Sequence, residues 1–140
     1  MFRKILVAFD GSSKAYDAFD YALELASMSK PASALLVVSV VQPPESLYLV
    51  EMNDVVNQVT ANYEKLQAGL VEKAKKKDLV VETKVAIGHP AGSIVRIARE
   101  KGCDLIVMGH KGKSMIEGLI LGSVSRRVAA EAPCSVTIVK

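Results

Sequence analysis

Gly109, Gly112, Gly122 and Ser123 carry the chemistry most easily read from this chain. An apolar run, Leu105–Met108, delivers the backbone to the first of them, and a helical pattern starts at the last. Two glycines three residues apart leave main-chain N–H groups uncovered by side chains, which is what a phosphate oxygen requires of a backbone cradle. Gly122-Ser123 opens a helix whose first N–H groups and positive dipole end face the same place, and Lys111 and Lys113 add formal charge. The thirteen residues from Gly109 to Leu121 make a long connection for a compact domain, and such loops are commonly functional. A charge-assisted hydrogen bond contributes about 1.5–3 kcal/mol and a helix terminus roughly 0.3–1 kcal/mol, so four or five contacts plus a stacked base reach micromolar affinity after binding costs. The chemistry indicated is the binding of a nucleoside triphosphate.

Other phosphate motifs fail on spacing. Gly112-Lys113-Ser114 imitates the end of a Walker A loop, but the glycine required five residues earlier is Val107, inside the apolar run. A Gly-x-Gly-x-x-Gly fingerprint is missing after the first strand, where Asp10-Gly11-Ser12-Ser13 stands. His110 has no carboxylate or serine partner in a nucleophilic arrangement and reads as a loop residue. Hydrolysis needs an oriented water and charge stabilisation in the transition state, for which the motif offers no arginine finger or glutamine. Binding is therefore expected, with ATP hydrolysis at most slow and no catalytic residue assigned. Mg²⁺ would ride on the phosphates through water ligands. Cys103 and Cys134 form no Cys-x-x-Cys and stand far in sequence from both histidines, so no metal site is expected. Each precedes a predicted strand, and both are expected to be reduced thiols at the end of the sheet away from the nucleotide.

The elements that position these residues alternate in type. Ile5–Phe9 is an unbroken apolar run and predicts a buried central strand ending at Asp10. Ser12 suits an N-cap, and Ala15, Ala18, Phe19, Ala22, Leu25 and Ala26 form one helical face. Leu35–Val41 is a second strand, stopped by Pro43-Pro44, and Glu45–Val50 a connector. A long helix follows over Glu51–Lys76 with the stripe Met52, Val55, Val56, Val59, Tyr63, Leu66, Leu70 and Ala74. Gly69 costs that helix about 1 kcal/mol relative to alanine, and close packing is the expected reason. Leu79–Ala86 alternates, with Glu82 and Lys84 between apolar residues, and is expected at an edge of the sheet or exposed on one face. Pro90 opens a third helix that Gly102 closes, Leu105–Met108 is the fourth strand, Ser123–Ala130 the fourth helix and Ser135–Val139 the last strand. Strands alternating with helices imply right-handed crossovers and a parallel sheet.

Composition agrees. Of 140 residues half are apolar, with three Phe, four Tyr and no Trp, so the core is aliphatic. The net charge of +3 is mild, and Lys73, Lys75, Lys76 and Lys77 read as a solvated helix end rather than a nucleic-acid surface. No run approaches a membrane span and the first residues lack a signal-peptide layout, so a cytoplasmic protein is expected. The apolar Met115, Ile116, Leu119, Ile120 and Leu121 are expected to fold back on the domain or meet a partner.

Taken together, Gly109-x2-Gly112-x9-Gly122-Ser123, the opening Ile5 to Ser12, Gly88-His89-Pro90, Asp104 to Gly109 and the closing Pro133 to Val139 resemble the universal stress protein family, in its ATP-binding branch and in its order. The resemblance covers essentially the whole chain. It implies one α/β domain over residues 1–140, an open doubly wound five-stranded parallel sheet of order 3-2-1-4-5 with four helices, the Rossmann-like adenine nucleotide alpha hydrolase-like fold. That order reverses its winding between the first and fourth strands, and ligands in open sheets sit at such a point. By resemblance, Ala8 and Phe9 wall the adenine pocket, Asp10 contacts the adenosine and the main chain of Val40 meets the adenine edge. Met108 ends its strand in the same crevice. Gly109, Gly112, Gly122, Ser123 and Ser125 contact phosphate and ribose, Val124 offers its N–H, and Lys111 neutralises charge. Valine at Gly109 and Gly112 is expected to abolish binding and leave the fold intact. The implied role is a nucleotide-dependent regulatory or stress-response module, a homodimer paired through residues 135–139.

Two other classes compete. A transferase on the related nucleotide-binding fold would adenylylate or phosphorylate an acceptor, yet Asp10-Gly11-Ser12-Ser13 replaces that branch's Ser-Gly-Gly-x-Asp-Ser loop. A phospho-acceptor receiver domain needs clustered carboxylates at strand ends, and only Asp10 is in place.

Overall fold

A computed structural model describes residues 1–45, 49–112 and 121–140. In chain order the elements are β1 (Lys4–Ala8), α1 (Ser13–Met28), β2 (Ala34–Val41), α2 (Leu49–Lys75), β3 (Val81–Ile87), α3 (Pro90–Glu100), β4 (Leu105–Gly109), α4 (Ser123–Glu131) and β5 (Ser135–Val139). The strands form one parallel sheet in the order β3-β2-β1-β4-β5, as the family resemblance implies. Ile5 lies between Leu35 of β2 and Leu105 of β4, which fixes β1 at the centre.

Strand periodicity explains the unbroken apolar runs. Ile5 and Val7 pack with α1 and the second half of α2 through Phe19, Leu23 and Leu70, whereas Leu6 packs on the other face with Ile94, Ile97 and Val128. Both faces are covered, so every residue of the run must be apolar. Each fully buried Leu or Ile stabilises the fold by roughly 1.5–3 kcal/mol. β3 lies at the edge; Glu82 stands exposed there, with Lys4 at 3.8 Å and Lys101 at 3.6 Å, and such charges discourage pairing with another chain.

Packing shifts several expected details. In α1 Leu23 is buried and Leu25 only half-buried, because Leu23 is four residues beyond Phe19 on the core face. α2 begins at Leu49, inside the expected connector, and its fully buried stretch is Tyr63, Gln67, Leu70 and Ala74. Gln67 is a polar residue in that stripe, matched to Ser39 in the apolar run of β2. The Gln67 Nε2 donates to Ser39 Oγ and to the Lys84 carbonyl, each at 3.0 Å, and Ser39 Oγ donates to the Phe9 carbonyl at 2.6 Å. This buried relay joins α2 to β2, β3 and the turn that leaves β1, and satisfies groups that burial would otherwise penalise.

Close packing does not explain Gly69. It is exposed, and among the described residues a Cβ there would meet nothing within 4 Å. Gly69→Ala is therefore expected to stabilise the protein by about 0.5–1 kcal/mol, by removing backbone freedom from the unfolded chain, in a urea titration. A loss of stability would show that α2 needs a bend there.

Asp104 staples β4 to β1. Its carboxylate accepts the N–H of Arg3 at 2.8 Å and of Lys4 at 3.0 Å, and its own N–H donates to the Lys4 carbonyl. Burial is the largest influence and raises the carboxyl pKa, but the backbone hydrogen bonds and the charge of Arg3 together outweigh it, and the net shift is downward. A depressed carboxyl stabilises the folded state above its unfolded value and loses that contribution as pH falls through the folded one. Asp104→Asn is thus expected to cost about 1 kcal/mol near neutral pH. The gap from wild type should close on acidification below the carboxylate range; a gap independent of pH would sink the assignment. At the same end of the sheet Cys103 is buried and Cys134 half-buried, both unpaired, and burial pushes the Cys103 thiol up to about 11.

Candidate functional site

The carboxyl ends of β1, β2 and β4 open into a cavity of about 550 Å³ at the point where the sheet reverses its winding. Ala8, Phe9 and Asp10 reach it from β1, Val40 from β2, and Met108 and Gly109 from β4. Lys111 and Gly112 follow, and Gly122, Ser123, Val124 and Ser125 enter from the start of α4. The structure thus brings the residues that the resemblance assigns to the ligand, from Ala8 to Ser125, to one cavity. Lys113, Met115, Ile116, Leu119 and Ile120 lie outside the described residues, as do residues 46–48 of the expected connector.

The lining divides by chemistry. Ala8, Val38, Val40, Ile94 and Met108 make an apolar slot, roofed by Val55 and Val59 of α2. These two valines are only half-buried because this half of α2 faces the cavity rather than the sheet. Asp10, Lys111, Arg126 and the N-terminus of α4 supply the polar side. A flat apolar ring with a charged tail fits such a division.

β1 ends at Ala8, so Phe9 and Asp10 are the turn that leaves it. Asp10 Oδ1 accepts the Ser12 N–H at 2.9 Å, a side-chain turn made possible by Gly11 at φ +81°. Ser12 in turn caps α1 through the Ala15 N–H at 3.2 Å. A Cβ on Gly112 would lie 2.8 Å from Asp10 Oδ2, so the missing side chain is what lets the two meet. Tyr63 also lines the cavity; it is buried, and its phenol pKa is raised, first by that burial and then by the negative charge of Asp10.

Gly109 has a different reason to be glycine. It is the last residue of β4, registered with Val139, and a Cβ there would stand 2.8 Å from Lys14 Cβ and 2.9 Å from the Lys14 carbonyl oxygen. The start of α1 crosses the strand at that contact. The expectation that valine at Gly109 leaves the fold intact is therefore corrected: the side chain would collide with helix backbone, which cannot swing aside.

The start of α4 is held by main chain. Gly122 is its N-cap; the Gly122 N–H donates to the His110 carbonyl at 2.8 Å, so this amide is already engaged. The Ser123, Val124 and Ser125 amides lie in the first helical turn, where no intrahelical acceptor exists. Ser125 is buried and its hydroxyl donates to the Gly109 carbonyl at 2.9 Å, fastening α4 to β4. His110 is tied to β5 instead: its N–H donates to the Val139 carbonyl at 3.0 Å and its Nδ1 lies 3.3 Å from the same oxygen.

Sequence reasoning missed Tyr63, Val55, Val59 and Arg126. The first three were assigned to a core stripe, and only the placement of α2 over the strand ends turns them to a cavity. Arg126, in the first turn of α4, carried a usable signal: a cation four residues past the helix-opening glycine. Among the described residues no cluster of three metal-ligating side chains occurs.

A family model described as the universal stress protein family matches residues 1–140. The curated universal stress protein YxiE of Bacillus subtilis is 36% identical over 148 residues, covering all of both chains. Among solved structures, universal stress protein UspA from Lactobacillus plantarum superposes with a TM-score of 0.92 at 22% identity, over 99% of this chain and 97% of that one. A universal stress protein solved in complex with cAMP gives a TM-score of 0.75 at 26% identity, over 99% and 97%.

Proposed function

This chain belongs to the universal stress protein family, and we propose that it serves there as a cytoplasmic, nucleotide-dependent regulatory module whose ligand is ATP. The observation that carries the reading is the single cavity at the reversal of the sheet, in which an apolar slot adjoins uncovered helix-terminal amides and two cations, Lys111 and Arg126. Adenine occupies the slot beside Ala8 and Phe9, with the main chain of Val40 at its edge. Asp10 takes the ribose. The amides of Ser123, Val124 and Ser125 and the open side of Gly112 take the phosphates, on which Mg²⁺ rides through water. A similar protein solved with cAMP supports the adenine class.

The module binds rather than turns over its nucleotide, with hydrolysis slow. It pairs with a second copy through β5, an edge strand whose Val136, Thr137, Ile138 and Val139 are half-buried. The test is mass spectrometry of nucleotide released from purified, denatured protein, with calorimetric titration of ATP into stripped protein. ATP is expected to bind in the micromolar range. Protein that retains no nucleotide and gives no heat with ATP, ADP or AMP would end the reading.

A further inference from the structure

A second cleft, of about 430 Å³, adjoins the first and shares Gln42, Pro90, Ser123 and Val124 with it. Its other walls are His89, Ala91 and Arg127. Arg127 is exposed, and two neighbouring side chains orient its guanidinium. Nε donates to Glu131 Oε2 at 3.0 Å and Nη1 donates to His89 Nδ1 at 3.2 Å. An arginine only donates, so His89 Nδ1 is the acceptor and the ring hydrogen sits on Nε2 as a further donor. Among the described residues these contacts engage two of the five guanidinium N–H groups.

The donors that remain form a planar fork, which matches phosphate oxygens better than a point charge would. The cleft offers little apolar area for a base or ring, since its small side chains are Pro90, Ala91 and Val124. It also meets the larger cavity along Ser123 and Val124, the side assigned above to phosphates.

We propose that the cleft of His89 and Arg127 binds a phosphate-type anion beside the nucleotide. The anion is either a separate small molecule or the far end of a ligand joined to the nucleotide. This rests on the proposed nucleotide reading only for what lies next to the anion.

The test titrates inorganic pyrophosphate, by calorimetry, into protein saturated with ATP, and compares diadenosine tetraphosphate with ATP. Arg127→Gln is expected to weaken the anion's binding about tenfold, Arg127→Lys to restore part of it, and ATP's own affinity to stay within about twofold in both. Pyrophosphate binding alongside ATP identifies a free anion. Diadenosine tetraphosphate binding tighter than ATP, with the advantage lost in Arg127→Gln, identifies a tethered one. The proposal is overturned if neither probe responds to Arg127→Gln, or if pyrophosphate only displaces ATP. Protein that binds pyrophosphate through Arg127 but no ATP would keep the cleft and remove the nucleotide reading.

Discussion

Gly109→Val is expected to destabilise the protein by about 3 kcal/mol or more, lowering Tm by roughly 10 °C, and to cripple its yield of folded material. The atoms that a new Cβ meets are Lys14 Cβ at 2.8 Å and the Lys14 backbone carbonyl at 2.9 Å, in the first turn of α1. Relief requires α1 to move away from β4. That helix buries Ala15, Ala18 and Phe19 against the sheet, so moving it opens voids in the core. Alanine should already show most of the effect, since the clash begins at the first side-chain carbon. Urea denaturation checks it, and a Gly109→Ala protein as stable as wild type would mean that α1 does not approach the strand as closely as described. Loss of nucleotide binding in this variant would carry no information about the ligand.

Gly112→Val separates binding from folding. Among the described residues a Cβ here meets only the Asp10 side chain, Oδ2 at 2.8 Å, the far end of a group that can rotate. Gly112 is exposed and has no positive φ to protect, so the stability cost should stay below about 1 kcal/mol. The cost to the cavity is larger. The isopropyl group would stand on its polar side and push the Asp10 carboxylate out of place, removing contacts to ribose and phosphate together. ATP affinity is expected to fall at least ~30-fold, about 2 kcal/mol, by calorimetry on protein whose melting is near that of wild type. Unchanged affinity would place the nucleotide elsewhere. Read together, the two glycines of one motif are predicted to fail differently, one through the helix behind it and the other through the ligand in front.

That difference marks what one-dimensional patterns can carry. Apolar runs and helical stripes report whether a segment is buried, because burial follows from the period of the side chains around a strand or helix. Glu82 between apolar neighbours marked β3 as an edge or half-exposed strand, and Gly122-Ser123 located the start of α4, each from local chemistry. Ser39 and Gln67 are buried polar residues that apolar periodicity does not account for. They explain each other only when β2 and α2 are stacked, since a hydrogen-bond partner 28 residues away leaves no periodic trace.

From sequence alone this protein was determined to be an alternation of five strands and four helices with a glycine-marked turn after the fourth strand, because propensity, periodicity and turn chemistry are properties of neighbouring residues. Tertiary structure alone decided that Gly109 is spent on α1, that Tyr63 lines the same cavity as Asp10, and that Arg127 and His89 help wall a second cleft beside the first. Those facts depend on which elements approach one another and how closely. Close approach is settled by the packing of whole faces, so no single segment encodes it.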